Sequence, residues 1–301
     1  MGTTARPGLA TPAGLGVAIR RIGRWRVGRR LARHRSFVVG AGLFALVVAV
    51  ALGAPVLAPS APERMQFRLR FSPPGPGLPF GTDNFGRDLM SRVVYGARLS
   101  LEIGFGVMVM TGVAGTLIGA TAGYFRRLDD GLMRVMDALM AFPAVLLAIG
   151  ITAALGPSMG NAMVALSAVY TPRTARIVRA SALVVREMEY VQAARATGAR
   201  HGRVLLHHVL PNCLAPLVVQ LTFTFAYAVL TEAILSFLGM GPQPPTPTWG
   251  NIIAEGRGYV REAPWIALFP GIAIAVTVLG LNLLGDGLRD ALDPRMKVPQ
   301  G

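Results

Sequence analysis

The chain has 301 residues, of which 52% are hydrophobic and only 15% charged, and its formal net charge is +15. Soluble domains carry about 25% charged residues, so this composition, with a mean hydropathy of +0.50, excludes an ordinary soluble globular domain. The positive charge does not mark a nucleic-acid binder, because nine arginines precede Ser36 and seven lie from Arg173 to Arg203, the clustering expected of cytoplasmic segments in a membrane protein.

Residues 1–36 read as a basic cytoplasmic segment. The apolar run 37–58 is too long for the core of a secretory signal. Val56-Leu57-Ala58 is not a small-x-small cleavage site and Pro59 follows it, so the run reads as an uncleaved first span. Residues 59–98 form an extracytoplasmic segment containing FSPPGPGLPFGTDNFGRDLMSRVVYG, whose start holds too much proline and glycine for a helix. A membrane core follows over 99–288, with spans at 99–124, 132–155, 159–178, 211–238 and 265–284. The second span carries Gly115, Gly119 and Gly123, two overlapping G-x-x-x-G repeats that leave one helix face bare for close packing. Pro143, Pro172, Pro216 and Pro270 lie in or near spans and mark sites for kinks. A second outer segment, 239–264, holds GMGPQPPTPTWGNII and reads as turn and extended chain. The tail is 289–301. With both termini cytoplasmic, most of the 30 basic residues fall on the inner side. The predicted fold is an all-α membrane protein of about six transmembrane helices.

Several patterns carry no chemistry in this context. Cys213 is the lone cysteine and reads as a small apolar packing residue. His201 and His208 are seven apart and could share a helix face, but two histidines without a third ligand make a poor metal site. Gly156-Pro157-Ser158-Met159-Gly160 matches G-x-S-x-G, yet it joins two spans and lacks the strand-turn-helix setting of a nucleophile elbow. Glu102, Asp137 and Glu232 are expected near span ends, within reach of water. The only lysine is Lys297, followed by Val298, so the chain has no P-loop.

The polar stretch 180–209, ASALVVREMEYVQAARATGARHGRVLLHHV, interrupts the apolar pattern. Gln192 to Thr197 favour helix, Gly198 offers a cap or bend, a second short helix is predicted over 199–209, and Pro211 is expected to open the next span. Two readings fit: an amphipathic helix resting on lipid, or a docking knob for a soluble partner. In the second, Ala193, Ala194 and Gly198 permit close contact, and Arg195 and Arg203 meet acidic groups.

QAARATG followed by Leu210-Pro211 resembles the EAA loop of bacterial ABC importer permeases, a Glu-Ala-Ala, three residues, Gly, and then Leu-Pro about a dozen residues on. Ala193, Ala194, Gly198, Leu210 and Pro211 match this pattern, and Gln192 stands in place of its Glu. FGTDNFGRDLMSRVVYGARLSL, TEAILSFLGMGPQPP, WGNII and GDGLRDALDPR resemble the peptide and nickel branch, within it the C-type subunit of dipeptide and oligopeptide importers. The resemblance extends over about residues 30–297. It implies that residues 180–211 form a cytoplasmic EAA-type coupling helix seated in a groove of an ATPase. It also implies a second homologous permease subunit, two cytoplasmic ATPase subunits, an extracytoplasmic substrate-binding protein and a bacterial inner membrane. No cofactor is expected in this non-catalytic chain, ATP and Mg being bound by the partner subunits. Short peptides are the expected cargo, with nickel or another small solute as the alternative. An ion-coupled secondary transporter is the remoter reading, since it needs an acid at mid-membrane depth.

Overall fold

The computed structural model describes residue 31 and residues 34–292. Most of the basic segment 1–36 and all but the first few residues of the tail 289–301 lie outside them. Among the described residues every regular element is helical, apart from two isolated bridge pairs.

Helix α1 (Arg35–Leu52) stops at Gly53, and a single turn, α2 (Ala54–Leu57), continues the expected first span. Helix α3 (Leu89–Tyr124) begins ten residues before the expected Leu99, because Asp88 caps it by accepting from the Ser91 N–H at 2.7 Å. Its 36 residues extend roughly 54 Å at about 1.5 Å per residue. That exceeds a hydrocarbon core of about 30 Å, so α3 projects beyond it.

The expected span 132–155 is not one helix. It is split into α4 (Arg126–Met140) and α5 (Ala144–Leu155), bent by 93°. Pro143 sits at the break; it lacks the N–H of an interior helical residue and its ring would clash with the preceding turn. Helix α4 is amphipathic, burying Met133 and Met136 and presenting its charged residues outward. Helix α6 (Met159–Arg186) is 28 residues long but carries Arg173, Arg176, Arg179 and Arg186 in its second half. The polar stretch forms α7 (Glu189–Ala196) and α8 (His201–Val204), then a π turn (Leu205–Val209) leading into α9 (Leu210–Phe237). Helices α10 (Trp249–Gly256) and α11 (Trp265–Leu292) complete the fold. Among the described residues four helices qualify as spans by length and apolarity (α1, α3, the α8–α9 run and α11), and the bent α4–α5 pair makes a fifth. The expected span 159–178 falls in α6, which is long enough but not apolar enough to qualify.

Helix α9 lies between α3, α6 and α11, and α1 packs on α11. Helices α3 and α6 approach closely. A Cβ at Gly115 would fall 2.7 Å from Thr174, one at Gly119 2.3 Å from the Ala175 carbonyl oxygen, and one at Gly123 2.7 Å from Ala182. Val47, Leu89, Val93, Phe225, Trp249 and Ile266 join α1, α3, α9, α10 and α11 in one apolar core. Trp249 also donates its indole N–H to the Val93 carbonyl at 3.0 Å.

The chain between α2 and α3 folds over the N-terminal end of α3. Asp83 is fully buried there and accepts from Arg87 Nε at 2.6 Å, from an Arg92 guanidinium nitrogen at 2.7 Å, and from the Phe85 and Arg87 N–H groups at 2.8 and 2.9 Å. Both arginines also bond Glu255 of α10, Arg92 at 2.7 and 3.1 Å. Two acids and two bases thus tie the segment before α3 to α3 and α10 with no net charge.

Candidate functional site

The loop between α6 and α9 lies at the end of the bundle opposite this cluster, beside Tyr124 at the C-terminus of α3. Glu189 occupies the first turn of α7 and Arg195 its last, each suiting the helix dipole. The helix ends in paired 6→1 and 5→2 bonds, Ala199 N–H to the Ala194 carbonyl at 3.1 Å and Gly198 N–H to that of Arg195 at 3.0 Å. This geometry puts Gly198 at φ +84°, a conformation that glycine adopts without strain. A Cβ there would meet nothing within 4 Å, so the backbone, not space, selects the glycine.

One face of the loop is glued to the bundle and the other is bare. Val191, Val204 and Val209 are fully buried against Tyr124, Val178, Val185, Cys213 and Leu217. Gln192, Ala193, Ala196, Gly198 and Arg203 are exposed, Ala194 and Leu210 are half-buried, and Pro211 is exposed. Arg195 is half-buried, its guanidinium 4.9 Å from the Tyr124 ring centre. The same tyrosine shares a hydrogen bond with His201 Nδ1 at 3.0 Å. Arg186 is buried and donates to the Gly123 carbonyl at 2.9 Å. The loop therefore grips the end of α3 through both its helices and the last turn of α6.

Gln192 donates to Glu187 Oε2 at 3.3 Å, while Glu187 also accepts from Arg186 Nε at 3.0 Å. A glutamate at 192 could not donate and would face this carboxylate. That is a local physical reason for the glutamine.

Pro211 stands at the second position of α9, as expected of a residue that opens the span. The helical run continues from His201 to Phe237, with Pro211 inside it. A π turn directly upstream widens the backbone where an α-helical carbonyl would meet the Pro211 ring. Asn212, one residue on, donates to the Tyr190 hydroxyl at 3.0 Å and to the His208 carbonyl at 2.7 Å. The α7 helix is thereby fastened to the base of α9.

Other sequence features resolve simply. His201 meets Tyr124 while His208 lies beside Tyr190, so they do not converge, and among the described residues no group of three or more His, Cys, Asp or Glu is placed to hold a metal. Ser158 of the G-x-S-x-G stretch caps α6, accepting from the Asn161 N–H at 3.1 Å. Glu102 is exposed, and Asp137 pairs with Arg176 at 2.6 Å. Glu232 differs from expectation. It does not reach water but is fully buried, accepting from Ser236 at 2.6 Å and Ser100 at 3.4 Å, because α3 and the segment leading into α10 close over it. Tyr124, Arg186 and Asn212 were not apparent as loop anchors from the sequence. The only available signal was a valine at 191, 204 and 209 in an otherwise polar stretch.

Residues 115–298 match the family of binding-protein-dependent transport system inner membrane components. Residues 23–74 match the N-terminal transmembrane domain of oligopeptide transport permease C. A chain of Brucella abortus biovar 1 named for the permease of a peptide transport system is 58% identical over 90% of this chain and 91% of its own length. The dipeptide transport system permease protein DppC of Alkalihalophilus pseudofirmus is 44% identical over 91% and 90%. The di/tripeptide transport system permease protein DppC of Pseudomonas aeruginosa is 45% identical over 88% and 90%. The fold resembles that of a chain in an inward-facing structure of the MetNI methionine ABC transporter, with a TM-score of 0.56, 20% identity, and coverage of 68% of this chain and 98% of that one.

Proposed function

This chain belongs to the family of binding-protein-dependent transport system inner membrane components, and we propose that it is the C-type permease of an importer for dipeptides and short oligopeptides. It is a multi-pass inner-membrane protein. Its relatives are permeases named for peptide and dipeptide transport, which favours peptides over nickel as cargo. A second homologous permease completes the pathway, and an extracytoplasmic binding protein delivers the peptide to the end that carries the Asp83 cluster. Two cytoplasmic ATPases bind ATP and Mg. The loop end of the bundle and both termini are cytoplasmic, in line with the arginine distribution.

The observation that carries the reading is the two-faced loop, bare on one side and fastened to three long helices on the other. Closure of the ATPases presses on Gln192, Ala193 and Gly198. The continuous run from His201 to Phe237 carries that movement into α9 as a lever, and Tyr124 carries it into α3. The outcome is alternating access.

Purification of the complex in mild detergent tests this. A second permease and two P-loop ATPases are expected to be retained, with peptide uptake dependent on ATP and on the binding protein. A chain that purifies alone and transports without ATP would overturn it. Gly198→Asp gives a sharper test. An L-residue at this φ costs about 1–2 kcal/mol of local strain, and the carboxylate adds a negative charge at the dock. ATP-driven uptake is expected to fall severalfold at normal expression, and undiminished uptake would refute the docking role.

A further inference from the structure

A cavity of about 660 Å³ opens between α6, α9 and α11, and its wall includes Asn212 at the base of α9. Arg173 of α6 and Arg289 of α11 both line it, and no acidic side chain does among the described residues. Arginines on the same helix behave differently. Arg176 pairs with Asp137 at 2.6 Å and Arg179 with Asp129 at 2.5 Å, both acids on α4. Among the described residues Arg173 and Arg289 have no such partner, and both are exposed. The charge on the α4 side of α6 is neutralised within the chain, while the charge on the cavity side is left for something else.

The rest of the wall defines what that something is. Ile177, Val219 and Phe223 supply apolar surface, and Asn212 and Gln220 supply amides. Pro216 has no N–H, so the Asn212 carbonyl, its partner position in an α-helix, lacks a helical donor. The cavity thus offers cations for an anionic end, acceptors for N–H groups and apolar surface for side chains. A volume of this order suits a small ligand. A phospholipid would use the apolar wall with its acyl chain and the cations with its phosphate, but neither part calls for the amides or the Asn212 carbonyl.

We propose that this cavity is a transit site for the transported peptide, in which Arg173 and Arg289 hold its C-terminal carboxylate before release to the cytoplasm. The assignment rests on the peptide-import reading above. Charge-assisted bonds from guanidinium to carboxylate are the strongest the site can make. Both arginines stay in contact with water, which keeps the hold weak enough for release. Because Asn212 bonds Tyr190 of α7, the wall of the site moves with the loop that the ATPases press, so retention is tied to the stroke.

The test uses the full complex in proteoliposomes, with its binding protein and radiolabelled Ala-Phe. The paired variant Arg173→Gln/Arg289→Gln is expected to lower uptake about three- to tenfold, while ATP hydrolysis stimulated by the loaded binding protein is unchanged. Retained stimulation also shows that the complex is assembled, as expected for exposed side chains. The paired variant Arg173→Lys/Arg289→Lys is expected to restore most of the uptake. Wild-type uptake by the glutamine pair overturns the proposal. So does a parallel loss of uptake and hydrolysis that added phosphatidylglycerol rescues, which would make the cavity a lipid headgroup site. If the unaltered complex moves another solute and no Ala-Phe, the failure belongs to the peptide-import reading.

Discussion

Asp83→Ala is expected to destabilise the protein by about 3–5 kcal/mol, the usual cost of removing one member of a buried ion cluster. Asp83 is fully buried, and its carboxylate accepts from two arginines and two backbone N–H groups. Without it, Arg87 and Arg92, 2% and 1% exposed, keep only Glu255 as counter-charge. The damage would not stay local. The same cluster fastens the chain before α3 to α10, and Trp265 at the start of α11 donates to the Thr82 carbonyl of that chain at 3.0 Å. Thermal unfolding of the detergent-solubilised protein should show a large fall in Tm. An unchanged Tm would mean that the cluster is not the clamp its geometry implies.

Gly119→Leu should have a comparable effect at the other end of the molecule. Even a Cβ at this position would lie 2.3 Å from the Ala175 carbonyl oxygen and 2.9 Å from the Val178 Cβ. Those atoms belong to the backbone and buried core of α6, so the helices must part. Overpacking a tight contact costs about 1–3 kcal/mol or more, and here parting would also pull the Gly123 carbonyl from Arg186. Expected results are a lowered Tm and lost uptake together. Gly150→Ala is the control: nothing lies within 4 Å of a Cβ at that position, and both readouts should be unchanged. Equal behaviour of the two variants would show that the glycine face of α3 is not a packing surface.

Much of the site could be read in the sequence, and the unread part has a common character. Gly198 was legible because a left-handed cap is a property of one residue and its immediate neighbours. Gln192, Ala193 and Arg203 were legible as an exposed polar stretch. Arg195 was expected to reach out to a partner, yet it lies half-buried over Tyr124, 71 residues earlier in the chain. The break at 141–143 was signalled by Pro143 but read through, because the hydropathy on both sides is high enough to pass as one span. Glu232 was placed near water by its position in the span, whereas α3 and α10 cover it.

By itself the sequence determined the membrane class, the approximate spans, the bare glycine face of α3, the polar loop with its glycine turn, and the absence of a nucleotide-binding motif. These follow from composition, periodicity and local backbone preference, which act over a few residues at a time. Only the tertiary structure decided which of the α6 arginines are neutralised and which face a cavity. It also decided which face of the loop is anchored, and that Asp83 and Glu255 hold the same two arginines. The reason is that a charged or polar side chain finds its partner across a helix contact. Arg87 and Glu255 are 168 residues apart, and no local preference encodes which faces meet.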